Sequence, residues 1–110
     1  MITVRVVLSR GRLHSLNSEG HAVQGEEGSV PCAAVSALLG AVGRLLLHSS
    51  GCTVDGSAPG PGRFALELKR LRPGLGRWYR GVTDTLLQGL RDVAREYPGA
   101  IQLIVEEKGD

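Results

Sequence analysis

Apolar residues sit at every second position at Ile2, Val4, Val6 and Leu8, and further along recur at helical spacing at Val35, Leu38, Leu39, Val42, Leu45 and Leu46. The first period is that of a strand with one buried face, and the second is the stripe of an amphipathic helix. A chain of 110 residues that switches between the two periods excludes an all-helical or all-strand fold. It is large enough to bury one core without staples, and too small for a separate cofactor domain.

The rest of the chain extends the pattern. Ser9-Arg10-Gly11-Arg12 reads as a tight turn into a weaker second strand from about Leu13 to Gly20, an antiparallel hairpin. Val23 to Ser29 carries two glycines and the pair Glu26-Glu27 without periodicity, the signature of a loop. Ser29 is placed as an N-cap and Pro31 in the first turn of a helix that stops near Gly51. Cys52 to Asp55 predicts a short strand, Gly56 to Gly62 a surface connection, and Phe64, Leu66 and Leu68 a further strand. After Arg72-Pro73-Gly74, the positions Trp78, Val82, Leu86, Leu90, Val93 and Tyr97 trace one face of a long helix. Ile101, Leu103 and Val105 begin a last strand. The order is ββαββαβ, an α+β fold with two helices on one face of a mainly antiparallel sheet of four to five strands. One domain accounts for residues 1–110.

Composition narrows the function classes. Hydrophobic residues make up 42% and charged residues 22%, the balance of a soluble globular protein. No apolar run approaches the roughly 20 residues needed to cross a bilayer, and a strand-like pattern at the start is not that of a signal peptide. A cytoplasmic protein with no membrane partner is expected. The formal charge of +2 does not by itself argue for nucleic acid, although eleven of the thirteen cations are arginines. Cys32 and Cys52 show no framework spacing, so both are expected as thiols.

Chemistry concentrates at one place. Gly20-His21-Ala22 is followed, eleven positions after the histidine, by Cys32 in Val30-Pro31-Cys32-Ala33-Ala34-Val35-Ser36-Ala37. A histidine takes a proton near neutral pH, and a thiolate is a strong nucleophile, so the two together suffice for thiol catalysis. In the first turn of a helix Cys32 meets unsatisfied N–H groups and the positive end of the dipole, which favour the thiolate over its usual pKa of about 8.5. The same amides could hold the oxyanion formed on attack at a peptide carbonyl. Ser36, one turn on, faces the same side.

These motifs, Ser18-Glu19-Gly20-His21-Ala22 and Cys32-Ala33-Ala34-Val35-Ser36-Ala37-Leu38, and more loosely Glu96-Tyr97-Pro98, resemble the ribosomal-processing cysteine proteases of the Prp family. The resemblance spans essentially the full length. It implies a small α+β homodimer that removes the N-terminal extension of a large-subunit ribosomal protein during ribosome maturation. Its partner would be the precursor of that protein, bound as a peptide substrate, with His21 as general base and Cys32 as nucleophile. No cofactor or metal is implied. Three places before the cysteine the family carries an acidic residue where this chain has Ser29, and the spacing from His21 is shorter by one. Supporting roles therefore fall to Ser36 and Ser29, and to Glu26 or Glu27 should the loop fold back.

Three other readings compete. A non-catalytic ribosome- or protein-binding module could retain the same fold. His14, His21, Cys32, His48 and Cys52 could assemble a metal site, but none lie at ligand spacings. The segment from Arg63 to Arg80 holds six cations against Glu67, beside Trp78 and Tyr79, and could touch ribosomal RNA. The preferred reading of that segment is a solvated face with Trp78 turned into the core.

Overall fold

A computed structural model of the chain describes residues 1–20, 29–59 and 62–109, with Ser29 described in its backbone only. Its elements are β1 (Ile2–Ser9), β2 (Arg12–Glu19), α1 (Ser29–Leu47), β3 (Cys52–Ser57), β4 (Arg63–Leu71), α2 (Gly76–Glu96) and β5 (Ile101–Glu107). The strands form one five-stranded sheet in the order β3-β4-β2-β1-β5. Only β1 with β5 is parallel, and the other pairings are antiparallel. The expected ββαββαβ architecture is therefore present.

The β1–β2 hairpin turns on Arg10 and Gly11, at φ 54° and 75°, the left-handed pair that suits a two-residue connection between twisted strands. Val4 and Val6 are fully buried on one side of β1. On β2 the alternation slips: Leu8 pairs with Leu13 but Val7 with Ser15, so His14 is an extra residue. Such a bulge turns Leu13 and Leu16 to the same face, and both are buried.

Leu13 lies just beyond the β2–β4 ladder, which begins at Ser15. One position in from the hairpin turn, its backbone groups point away from β1. Helix α2 supplies the partners. The Tyr79 hydroxyl donates to the Leu13 carbonyl at 2.7 Å, and the Leu13 amide donates to Thr83 Oγ1 at 3.0 Å. Buried polar groups left unpaired are costly, so this arrangement fixes both the rotation of α2 and its depth on the sheet.

That rotation corrects one expectation. Tyr79, Thr83, Leu86, Leu87 and Leu90 form the buried face of α2, and Trp78 remains 37% exposed. Leu86 and Leu90 keep the predicted face, and the change is confined to the first turns, where the Leu13 hydrogen bonds select Tyr79 and Thr83 over Trp78 and Val82. The strand after α1 also runs further than expected. Gly56 and Ser57 continue β3 against Leu66 and Ala65 rather than joining the connection. Helix α1 starts at Ser29 itself, a boundary shift of one residue.

Helix α1 packs on β3 and α2, and α2 on β2 and β5. Val35, Leu39 and Leu46 of α1 are buried, while Val30, Leu45 and Leu47 are exposed. Contrary to the compositional expectation, Val30–Leu47 is long and apolar enough to cross a membrane by length and composition. In this fold one side of it lies on the core. The helices approach closely at Gly89, where the Leu38 side chain occupies the space a Cβ would need.

Candidate active site

Cys32 is the fourth residue of α1, within the turn whose N–H groups have no partner inside the helix. It is half-buried and lines a cleft of about 410 Å³ together with Ser36, Val35 and Leu39. The i, i+4 spacing brings Cys32 and Ser36 onto one wall, as the sequence predicts. The opposite wall comes from the sheet: Ile2 at the start of β1, Ser18 and Gly20 at the end of β2, and Arg63 and Phe64 at the start of β4.

The β2–β4 register makes this wall. Ser18 pairs with Phe64, and Glu19 with Arg63, so two strand ends far apart in sequence open together onto Cys32. The Gly20 amide donates to the Gly62 carbonyl at 3.0 Å, closing the corner. Gly20 has φ 102°, and a Cβ there would collide with the Met1 carbonyl. Glycine is required by both the dihedral and the space. Phe64 leans on α1 at Gly43, where an added Cβ would lie 3.2 Å from its ring.

Of the residues predicted for the site, Cys32 and Ser36 are brought together. His21, Glu26 and Glu27 lie outside the described residues, as does the Ser29 side chain. Gly20, immediately before His21, is on the cleft wall. Sequence reasoning missed Ser18, Arg63 and Phe64, because their proximity depends on strand register rather than local spacing.

The second thiol is differently placed. Cys52 pairs with Leu71 at the other end of the sheet, is 7% exposed, and has its thiol pKa pushed up by burial. Among the described residues the candidate metal donors do not converge either. His14 lies beside Lys108 Nζ at 3.4 Å, His48 follows the end of α1, and among the described residues no three donors could hold a metal.

A half-buried thiol in a helix first turn, walled by two strand ends, can attack an extended peptide laid in the cleft. A family model for the cysteine protease Prp matches residues 1–102. The chain belongs to the Prp family of cysteine proteases. No curated protein matches it. Among solved structures, the Prp fold is shared with the ribosomal processing protease Prp of S. aureus bound covalently to a product peptide. That match has a TM-score of 0.80 at 24% identity, covering 96% of this chain and 100% of that one. The S. aureus protease with a substrate peptide gives 0.79 at 22% identity, over 96% and 100%. A protein of Streptococcus mutans gives 0.82 at 22%, over 98% and 99%. This Prp family member thus keeps the fold at low identity.

Proposed function

We propose that this cysteine protease removes the N-terminal extension of a large-subunit ribosomal protein, with Cys32 as nucleophile and His21 as general base. The observation that carries the reading is the position of Cys32. It stands at the start of α1 in a cleft whose other wall ends at Gly20, one residue before the histidine. The S. aureus relative, solved with a substrate peptide and with a covalently linked product peptide, supports a peptide occupant of that cleft.

In this reading His21 takes the Cys32 proton, and the thiolate attacks the carbonyl carbon of the scissile bond. The N–H groups of the first turn of α1 stabilise the oxyanion. Collapse of the intermediate breaks the C–N bond, His21 gives its proton to the leaving amine, and a thioester on Cys32 remains. Water then hydrolyses the thioester and frees the thiol. The protein works in the cytoplasm as a homodimer, a state supported by the exposed Val30, Leu45 and Leu47 on α1.

The test is incubation with the organism's ribosomal protein precursor, beside Cys32→Ala and His21→Ala. Cleavage at one N-terminal bond by the wild type, abolished in Cys32→Ala, is expected. An uncut precursor, or equal cutting by Cys32→Ala, would reject the assignment and leave a binding module that keeps the fold.

A further inference from the structure

The end of the sheet opposite the Cys32 cleft gathers arginines from three elements. Arg12 begins β2, Arg72 follows β4, and Arg77 and Arg80 lie in the first two turns of α2. The Arg80 guanidinium lies against Gly11 in the hairpin turn, and that of Arg12 against Gly76. Arg12 and Arg72 line a cleft of about 360 Å³ with His14 and Gly76. Strand β1 spans eight residues, so at about 3.3 Å per residue the two clefts lie about 25 Å apart.

Among the described residues, none of these four arginines has a carboxylate partner. Glu107, the nearby acid of β5, accepts from the Gly11 amide at 3.2 Å. For a chain of net charge +2 this is a marked separation of charge, and it occurs where an aromatic ring is also left open. Trp78, next to Arg77, is half-exposed because Tyr79 occupies the core position. Unpaired guanidinium groups fit phosphates bidentately, and an exposed indole offers a face on which an unpaired base can stack.

We propose that this end of the molecule docks single-stranded RNA, with phosphates on Arg12, Arg72, Arg77 and Arg80 and a base on Trp78. The choice of RNA over DNA rests on the proposed ribosomal substrate. The surface itself does not, since it lies away from Cys32. It would hold the protease beside the RNA on which its substrate assembles.

Trp78 is the only tryptophan, so its fluorescence reports the site directly. A short single-stranded RNA added to the intact protein at low salt should quench it, and the affinity should fall steeply as the salt is raised from about 50 to 200 mM. Arg72→Gln/Arg77→Gln/Arg80→Gln, with all three side chains exposed, should bind roughly tenfold more weakly or worse. Its log–log salt slope should be shallower by about 0.7 for each phosphate no longer neutralised. Arg91→Gln/Arg95→Gln, further along α2, should bind as the wild type does, and urea midpoints confirm that both variants are folded. Several results would each overturn the proposal: no quenching, an unchanged triple variant, tighter binding of the same sequence as DNA, or a Trp78 change that follows protein concentration without RNA and so reports a second copy. None of these readouts depends on precursor cleavage.

Discussion

The Gly20 amide and the Gly62 carbonyl meet at 3.0 Å where two strand ends face Cys32. This hydrogen bond fixes one wall of the cleft, and it exists because Gly20 takes a left-handed φ against the Met1 carbonyl. Gly20→Ala is expected to destabilise the fold by about 1–3 kcal/mol, read from the urea midpoint. It should also lower kcat/KM for a substrate peptide by more than the folded fraction falls. A variant with wild-type stability would show that the corner tolerates a side chain.

The two thiols should separate kinetically. Cys32 is half-buried in the cleft, whereas burial both shields Cys52 and pushes its pKa up. Iodoacetamide at neutral pH should modify Cys32 well before Cys52, with peptide mass spectrometry locating the label. Cys52 should react appreciably only when the protein is unfolded.

Stability should fall at alkaline pH. Burial raises both the Cys52 thiol from 9.0 and the Tyr79 hydroxyl from 10.0. Above those values the unfolded chain loses protons that the native state keeps, so the native state binds more protons and stability declines as pH rises. The contribution is fully present below about pH 9. Urea midpoints measured from about pH 7 to 11 should drop beyond about pH 9, and the drop should be smaller in Cys52→Ala.

Tyr79→Phe removes the donor to the Leu13 carbonyl while keeping the ring. A loss of about 1–3 kcal/mol is expected, the cost of a buried acceptor left unpaired. Thr83→Val should cost a similar amount through the Leu13 amide. Because both side chains serve one residue, their effects should be non-additive in a double-mutant cycle.

Gly43→Ala should act on substrate rather than on stability. Helix propensity gains about 1 kcal/mol over glycine, offsetting the crowding of Phe64, whose ring must shift by a few tenths of an ångström toward the cleft. A severalfold rise in KM with a smaller change in kcat would confirm that Phe64 shapes the substrate cleft.

Residues close in sequence were the easiest to place. Ile2, Val4, Val6 and Leu8 recur at every second position, and Arg10-Gly11 closes the hairpin, so β1 and its turn could be read directly. Cys32 and Ser36 shared a wall by helical spacing alone. Strand order could not be read, since the β1–β5 and β2–β4 pairings join distant segments and carry no local mark. Arg63 and Phe64 therefore entered the site only through register. The bulge at His14 broke the alternation that would have announced β2 more strongly. The choice of Tyr79 over Trp78 turned on the hydrogen bonds of Tyr79 and Thr83 with the Leu13 backbone, 66 and 70 positions away, which periodicity does not contain.

The dependence of Leu13 on α2 also bears on the order in which the fold is completed. Every described residue lining the Cys32 cleft precedes Gly76, so a nascent chain carries all of those residues before its central hairpin has its last two backbone partners. Until Tyr79 and Thr83 arrive, the strand that ends at Glu19 has two unpaired backbone groups at its far end. A chain truncated before Gly76 is thus expected to lack an ordered Cys32 cleft.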